Sequence, residues 1–464
     1  MIERETAIIN QFSTSRAEVV AASRFFNNEA VDLEALIEAT RAACAAQCAG
    51  RRVLAIQDTT EINYSAHEGL LKASDPEIGP VGNDRDAGFF LHPTLVLDAD
   101  TGLALGCADV EVHNRRWDKQ DKHERDYRNQ PIEAKESYRW IESGRQAKAT
   151  LTGADAGADQ VTIIADREGD IYHLLATMPD ERTDVLVRTR SDRRLADAMQ
   201  TDARTLYAHI DTLPIEGSYT LDVPGTNGRK PRQAKLYVRF GPVAIAKPRS
   251  NHQRASLPET VQLWGVEARE LPRGTVPRGT TPDGGALRGT APDDEKPIRW
   301  RLLTSRPVQT FAQALAVIGD YSKRMQIEQV FRLLKSEGLR VERSQLACGA
   351  ALKRLSILGL QVSLTLMQLV SGRSGPAGDE PATTVFDRET FEFMNLLRKK
   401  LEGATAKQKC PHPQGTLAWG SWIVGRLGGW DGYASGDPPG PITMRRGVER
   451  LISHYAGWQL AHGQ

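Results

Sequence analysis

Three carboxylates stand where an extended or helical segment can present them. Asp58 follows the apolar run Val53-Leu54-Ala55-Ile56 after one glutamine, and Asp166 follows Val161-Thr162-Ile163-Ile164-Ala165. Glu328 comes much later, in a stretch with helical periodicity. Three hard oxygen donors suit a divalent cation such as Mg²⁺, which keeps several waters and shares its shell with phosphate oxygens. Two such ions can activate an attacking oxygen and stabilise a leaving one. Taken singly, each residue has a plainer reading: a strand-end Asp is also a turn residue or cap, and a helical Glu is also a solvated side chain.

The surroundings of Glu328 add a pattern. Tyr321, Arg324, Glu328 and Lys335 are offset by three, seven and fourteen residues. At about 100° per residue, one continuous helix holds all four within an arc of roughly 60°. Ile327, Val330, Phe331 and Leu334 form the neighbouring apolar stripe, so the helix can pack and still turn its polar stripe to a cleft. On spacing alone, an ordinary surface face with an Arg–Glu pair reads the same way.

The elements that must position these groups alternate between the two periodicities. Val31 to Gln47 is predicted helical, with Leu33, Leu36, Ile37, Ala43 and Cys44 on one face. Val53–Ile56, Val161–Ile164 and Asp184–Arg188 read as buried strands. Leu91–Leu97 and Leu103–Val112 read as a hairpin across Asp98-Ala99-Asp100-Thr101-Gly102. From Arg190 to Pro297 short alternating segments broken by Gly and Pro predict a β-rich insertion. Within it, Pro272 to Thr280, echoed by Arg288-Gly289-Thr290, reads as a mobile Arg-Gly-Thr loop. Trp300 to Thr304 resumes ordered structure, and helices are expected over Thr310–Ser336 and Ala351–Val370. Gly-Pro-rich Ser371–Pro381 reads as a linker to a helical unit with helices over Phe386–Leu401 and Leu417–Leu427.

With 464 residues, 40% of them hydrophobic, the chain can bury a large core as two or three structural units. No basic-then-apolar leader opens it, and Leu355–Val370 is interrupted by five polar residues, so a soluble, cytoplasmic protein without a membrane partner is expected. Five cysteines without CxxC spacing indicate reduced thiols, neither a disulfide framework nor a zinc site. The formal net charge is only +1, but basic clusters occur at Arg188, Arg190, Arg193 and Arg194, at Arg229, Lys230, Arg232 and Lys235, and at Arg398, Lys399 and Lys400. These leave room for a basic face, although each is also readable as a solvated surface.

Tyr321-x2-Arg324-x3-Glu328-x6-Lys335 resembles the signature of insertion-sequence-four-type bacterial DDE transposases. Similar blocks are Ile56 to Thr60, Lys135-Glu136-Ser137 with Trp140, Asp166 to Ile171, Trp300 to Ser305, and Leu427-Gly428-Gly429. The resemblance implies an α/β chain in four parts: a helical N-terminal remnant (1–50), a ribonuclease-H-like catalytic core (51–190 and 298–370), a β-rich insertion (191–297) and a helical C-terminal dimerisation unit (371–464). It implies that Asp58, Asp166 and Glu328 hold two Mg²⁺ ions, with Mn²⁺ able to substitute. It implies contacts from Tyr321, Arg324, Lys335 and Arg188 to the phosphates of double-stranded DNA, and stacking of Trp300 on a flipped base. A homodimer acting near the nucleoid would then cut transposon ends, form hairpins and join target DNA. Two departures from the family are the methionine at 325, where a relative has a second tryptophan, and the short stretch 1–14 where a helical end-recognition region is expected. The latter matches a shortened, inhibitory form that pairs with full-length subunits; a host nuclease on the same fold also shares the triad.

Overall fold

The computed structural model describes all residues except 1–6, 10–12, 14, 72–74, 83–84, 118–129, 200–201, 226–229, 250–255, 274–288, 293–294, 337, 434–435 and 463–464. Most of the Arg-Gly-Thr segment, Arg229 and most of residues 1–14 therefore lie outside the described residues.

Helices α1 (Arg16–Asn27) and α2 (Leu33–Ala45) precede strands β1 (Arg52–Gln57), β2 (Thr60–Asn63), β3 (Gly79–Val81), β4 (Asp86–Asp98) and β5 (Ala104–His113). Then come α3 (Tyr138–Thr152), β6 (Gln160–Ala165), α4 (Tyr172–Thr177), β7 (Thr183–Arg188) and α5 (Leu206–Thr212). Strands β8 (Gly217–Val223), β9 (Arg232–Ala246), β10 (Thr260–Glu270) and β11 (Arg299–Thr304) follow. The remaining helices are α6 (Phe311–Ser322), α7 (Met325–Lys335), α8 (Gly349–Ser371), α9 (Arg388–Leu401), α10 (Leu417–Leu427) and α11 (Pro441–Ala461). The chain is mixed α/β, in two compact units: residues 1–121, 149–159 and 325–464 form unit 1, and residues 122–148 and 160–324 form unit 2.

In unit 1 the long strand β4 organises the sheet. One edge pairs antiparallel with β5, and the other with β1 and β2. The hairpin between β4 and β5 turns where expected, because Asp98 Oδ1 accepts from the backbone N–H groups of Asp100 (2.9 Å) and Thr101 (2.7 Å) and Gly102 supplies a φ of +74°. β1 is buried from Val53 onward, which is why its sequence shows no apolar/polar alternation. Helix α8 forms the centre of the unit and packs against α1, α2, α7, α11 and β5. It is long and apolar enough to cross a membrane, but its apolar surface is spent on this core. Its buried cations are held internally: Lys353 reaches Glu77 (2.6 Å) and Asn114 (2.9 Å), and Arg354 donates to the Phe26 carbonyl (2.8 Å).

The expected linker over 371–381 is instead packed structure. Ala377 and Gly378 are buried, and a Cβ at Gly378 would stand 3.0 Å from that of Ala418, so the small residue allows close approach to α10. Glu380 forms a two-pronged pair with Arg51, 2.8 Å on each side. The C-terminal helices thus share one unit with β1–β5.

Unit 2 carries a sheet in the order β6-β7-β11-β10-β9-β8, parallel between β6 and β7 and antiparallel elsewhere. Residues 191–297 carry α5 followed by strands β8, β9 and β10. They are not set apart from the core strands: β10 pairs with β11, which pairs with β7, so the insertion extends the sheet that begins with β6.

Candidate active-site residues

The three carboxylates fall in different units, Asp58 and Glu328 in unit 1 and Asp166 in unit 2. Among the described residues no three His, Cys, Asp or Glu side chains are grouped as a metal-binding set.

In unit 1, Asp58 directly follows β1 and is half-buried. Its Oδ1 accepts from the Thr59 backbone N–H at 2.8 Å, and Thr59 Oγ1 in turn lies 2.8 Å from Nδ1 of the buried His92 on β4. Glu328 sits in the first turn of α7, where a carboxylate is favoured by the helix dipole. Ile327, Val330, Leu333 and Leu334 are buried beside it and fix the helix. Lys335, in the last turn, donates to the Glu61 carbonyl at 2.8 Å and pairs with Glu342 at 3.2 Å. Lys335, Glu61 and Glu342, together with Asn63, Arg340 and Arg343, line a cavity of about 660 Å³ whose lining includes neither Asp58 nor Glu328.

In unit 2, Asp166 follows β6 and caps a 3-10 turn over Arg167–Gly169, its Oδ1 accepting from Glu168 N–H at 2.7 Å. The tight turn depends on Gly169, because a Cβ there would lie 2.4 Å from the Ala165 Cβ and 3.0 Å from the buried Trp140 ring. Asp170, whose side chain is fully buried, binds Arg193 (2.7 Å) and the Arg190 backbone N–H (2.8 Å). It ties the segment after β7 to the Asp166 turn.

Five of the eight sequence-predicted site residues lie in this unit. Arg188 ends β7 opposite Leu302 of β11 and donates to the Arg299 carbonyl at 3.2 Å. Trp300, half-buried on β11, meets the Tyr321 ring edge-on with centroids 6.0 Å apart. Tyr321 is buried near the end of α6. Burial raises its hydroxyl above the usual tyrosine range, against the pull of Arg324 and of Arg188, which also hydrogen-bonds it; Asp166 adds to the rise. The hydroxyl therefore stays protonated at neutral pH and can donate. Asp166, Arg188, Tyr321 and Arg324 thus form one electrostatic group, with Trp300 against it.

The single-helix arc does not form. α6 ends at Ser322, Lys323 and Arg324 form a turn in which Arg324 N–H donates to Tyr321 O at 3.0 Å, and α7 starts at Met325. Tyr321 and Arg324 therefore belong to unit 2, whereas Glu328 and Lys335 belong to unit 1. Sequence reasoning missed the anchoring roles of Gly169, Asp170 and Glu342. The first two lie inside a block it singled out, but their partners are remote in sequence. Two of the basic clusters are also partly neutralised, Arg193 by Asp170 and Arg232 by the buried Glu270 at 2.6 Å.

Taken one at a time, Asp58 and Asp166 each offer carboxylate oxygens steadied by a backbone N–H, and oxygen donors of this kind suit a hard cation such as Mg²⁺. No protein-family model matches the chain.

Proposed function

We propose that this chain is a DDE-type DNA transposase with a ribonuclease-H-like core, catalysing metal-dependent cleavage, hairpin formation and strand transfer at the ends of a mobile element. The observation that carries the reading is the unit 2 group: a strand-end carboxylate, two arginines, a protonated buried tyrosine and a half-exposed tryptophan in one place. Also in favour are the antiparallel set β5-β4-β1, whose first strand leads to Asp58, and the parallel pair β6-β7, whose first strand leads to Asp166.

Bound at Asp58, Asp166 and Glu328, two Mg²⁺ ions would supply activation of the attacking oxygen and stabilisation of the leaving one. Arg188 and Arg324 bind backbone phosphate by charge, and Tyr321 donates its hydroxyl to a phosphate oxygen. Trp300 offers its exposed part to a base drawn out of the stack. Lys335 adds a phosphate contact once it parts from Glu342. Leu396, Ile452 and Leu460, exposed apolar residues of α9 and α11, suit homodimerisation through residues 371–464.

The test is a supercoiled plasmid carrying the DNA that flanks the gene, incubated with the purified chain and Mg²⁺ or Mn²⁺. Nicked and joined products are expected, lost on chelation and in Glu328→Gln, whose melting temperature stays that of the parent. A folded Glu328→Gln protein that cleaves as fast as the parent overturns the proposal.

A further inference from the structure

Away from the Asp166 group, unit 2 carries a second concentration of charge on one face of β9-β10-β11. The register aligns Arg239, Glu267 and Arg301 in one cross-strand row, and Arg269 with Arg299 in the next. Residues two apart on a strand share a face, so all five side chains belong to one surface; Trp300, between Arg299 and Arg301, belongs to the other.

Among the described residues the acids on this face are fewer than the cations. Glu267 is buried and accepts from Nε of both Arg299 (2.7 Å) and Arg301 (2.9 Å). Asp211, at the end of α5, meets Arg299 at 2.7 Å, Arg301 at 3.2 Å, Arg269 at 3.8 Å and Arg239 at 4.0 Å. Among the described residues, four guanidinium groups thus share two carboxylates. The surplus is most open at Arg269, whose side chain is 38% exposed and whose one ion pair among the described residues is the long one to Asp211. Burial and the neighbouring Arg299 lower its pKa, as expected of a cation crowded by a like charge. Arg269 and Arg299 also line a cavity of about 220 Å³ with Glu270, Pro272 and Pro297. The cluster is held in place: Ile210 and Leu213 lie against Gly265 and Gly241, and Arg301 stacks 3.9 Å over the Tyr207 ring.

We infer that this arginine face is a second DNA-backbone site, in which Arg239, Arg269 and Arg299 take phosphate oxygens of a duplex and Asp211 is the carboxylate those phosphates displace. Strands about 4.8 Å apart spread these cations over roughly 10 Å, enough to meet more than one phosphate. Cations spread across three strands suit an extended polyanion better than a single small ion. The inference rests on the proposed action on DNA for its choice of ligand, but sequence-independent binding can be measured without cleavage.

The experiment is fluorescence anisotropy of a 40-base-pair duplex of arbitrary sequence, with the full chain and no divalent metal, between about 50 and 200 mM NaCl, a range over which each lost phosphate contact flattens the log–log salt slope by about 0.9. Arg269→Gln is expected to weaken binding and flatten the slope by about one, and Arg239→Gln/Arg269→Gln by about two. Asp211→Asn is expected to bind more tightly than the parent, because it frees the same cations. Parental affinity and slope in a normally melting Arg269→Gln protein overturn the inference. So does an Asp211→Asn protein that melts normally yet binds no better. Should Asp211→Asn unfold, Arg269→Gln alone decides, since it breaks only a long, half-exposed contact. Inorganic phosphate displacing the duplex at equal charge concentration would also overturn the site as one for an extended backbone. Plasmid nicking by the parent with unchanged Arg269→Gln binding rejects this site alone; no nicking with the expected salt slopes rejects the transposase reading alone.

Discussion

Gly169→Ala is the sharpest probe of how unit 2 positions Asp166. The new methyl group would begin 2.4 Å from the Ala165 Cβ and 3.0 Å from Trp140 Cε3. The alanine carbon is fixed to the β6 backbone and the buried indole cannot swing away, so the turn itself must move. Overpacking of this kind costs about 1–3 kcal/mol. Alanine restricts the unfolded chain more than glycine does, which offsets about 0.4–1 kcal/mol. The clash wins, leaving a net loss of about 1.5 kcal/mol and a melting shift of about 3–6 °C for a unit of this size. Catalysis should suffer more than stability, because Asp166 caps the displaced turn and a misplacement of about 1 Å can cost on the order of 100-fold in rate. The cycle with Ala165→Gly isolates the cause: removing the struck carbon should make the double variant no less stable than Ala165→Gly alone, a coupling of about 1 kcal/mol or more. Additive losses measured by thermal denaturation, or a Gly169→Ala protein that melts with the parent, would refute the packing argument.

Three further outcomes follow from the same structure. Lys335→Ala removes a half-exposed pair with Glu342, so stability should fall by under about 1 kcal/mol while nicking in the plasmid assay falls at least about tenfold; equal nicking would remove Lys335 from the site. Tyr321→Phe keeps the edge contact with Trp300 but loses the hydroxyl, so duplex affinity should drop several-fold with little change in melting, whereas Trp300→Ala should lower both. Burial raises the Asp98 carboxyl, but backbone donors at Thr101 and Asp100 together with Arg51 outweigh it and hold it below the ordinary range. Its stabilisation is therefore fully present above the unfolded value near 3.9 and is lost as pH falls through the lower folded value; Arg51→Gln should reduce the acid-side slope of stability in that window, and an unchanged slope would count against the pair.

What could be read in the sequence depended on how far away each cause lies. β1 and β6 declare themselves because burial on both faces leaves a mainly apolar run without polar alternation, and the residue after each is where a half-buried Asp emerges. The β4–β5 hairpin is equally local, since Asp98 satisfies the turn's own N–H groups. The break between α6 and α7 has no such mark. Lys323 and Arg324 are good helix formers, and their turn coincides with the passage from one unit to the other, which tertiary contacts alone reveal. The segment 371–381 misled in the opposite sense: its glycines looked like freedom, but at Gly378 the missing side chain is filled by α10.

Charge was the least legible feature, because its meaning depends on partners far along the chain. Arg193 and Arg232 read as members of basic clusters, yet each lies against a fully buried carboxylate, Asp170 or Glu270. Their first role is to fold the chain. The same rule locates the cations that remain for a ligand. Among the described residues Arg269 carries no short ion pair, and the β10 register sets it beside Arg299, which is already committed to Glu267 and Asp211. Reading a basic surface from sequence therefore means finding the arginines that outnumber their buried acids, and only strand register supplies that count.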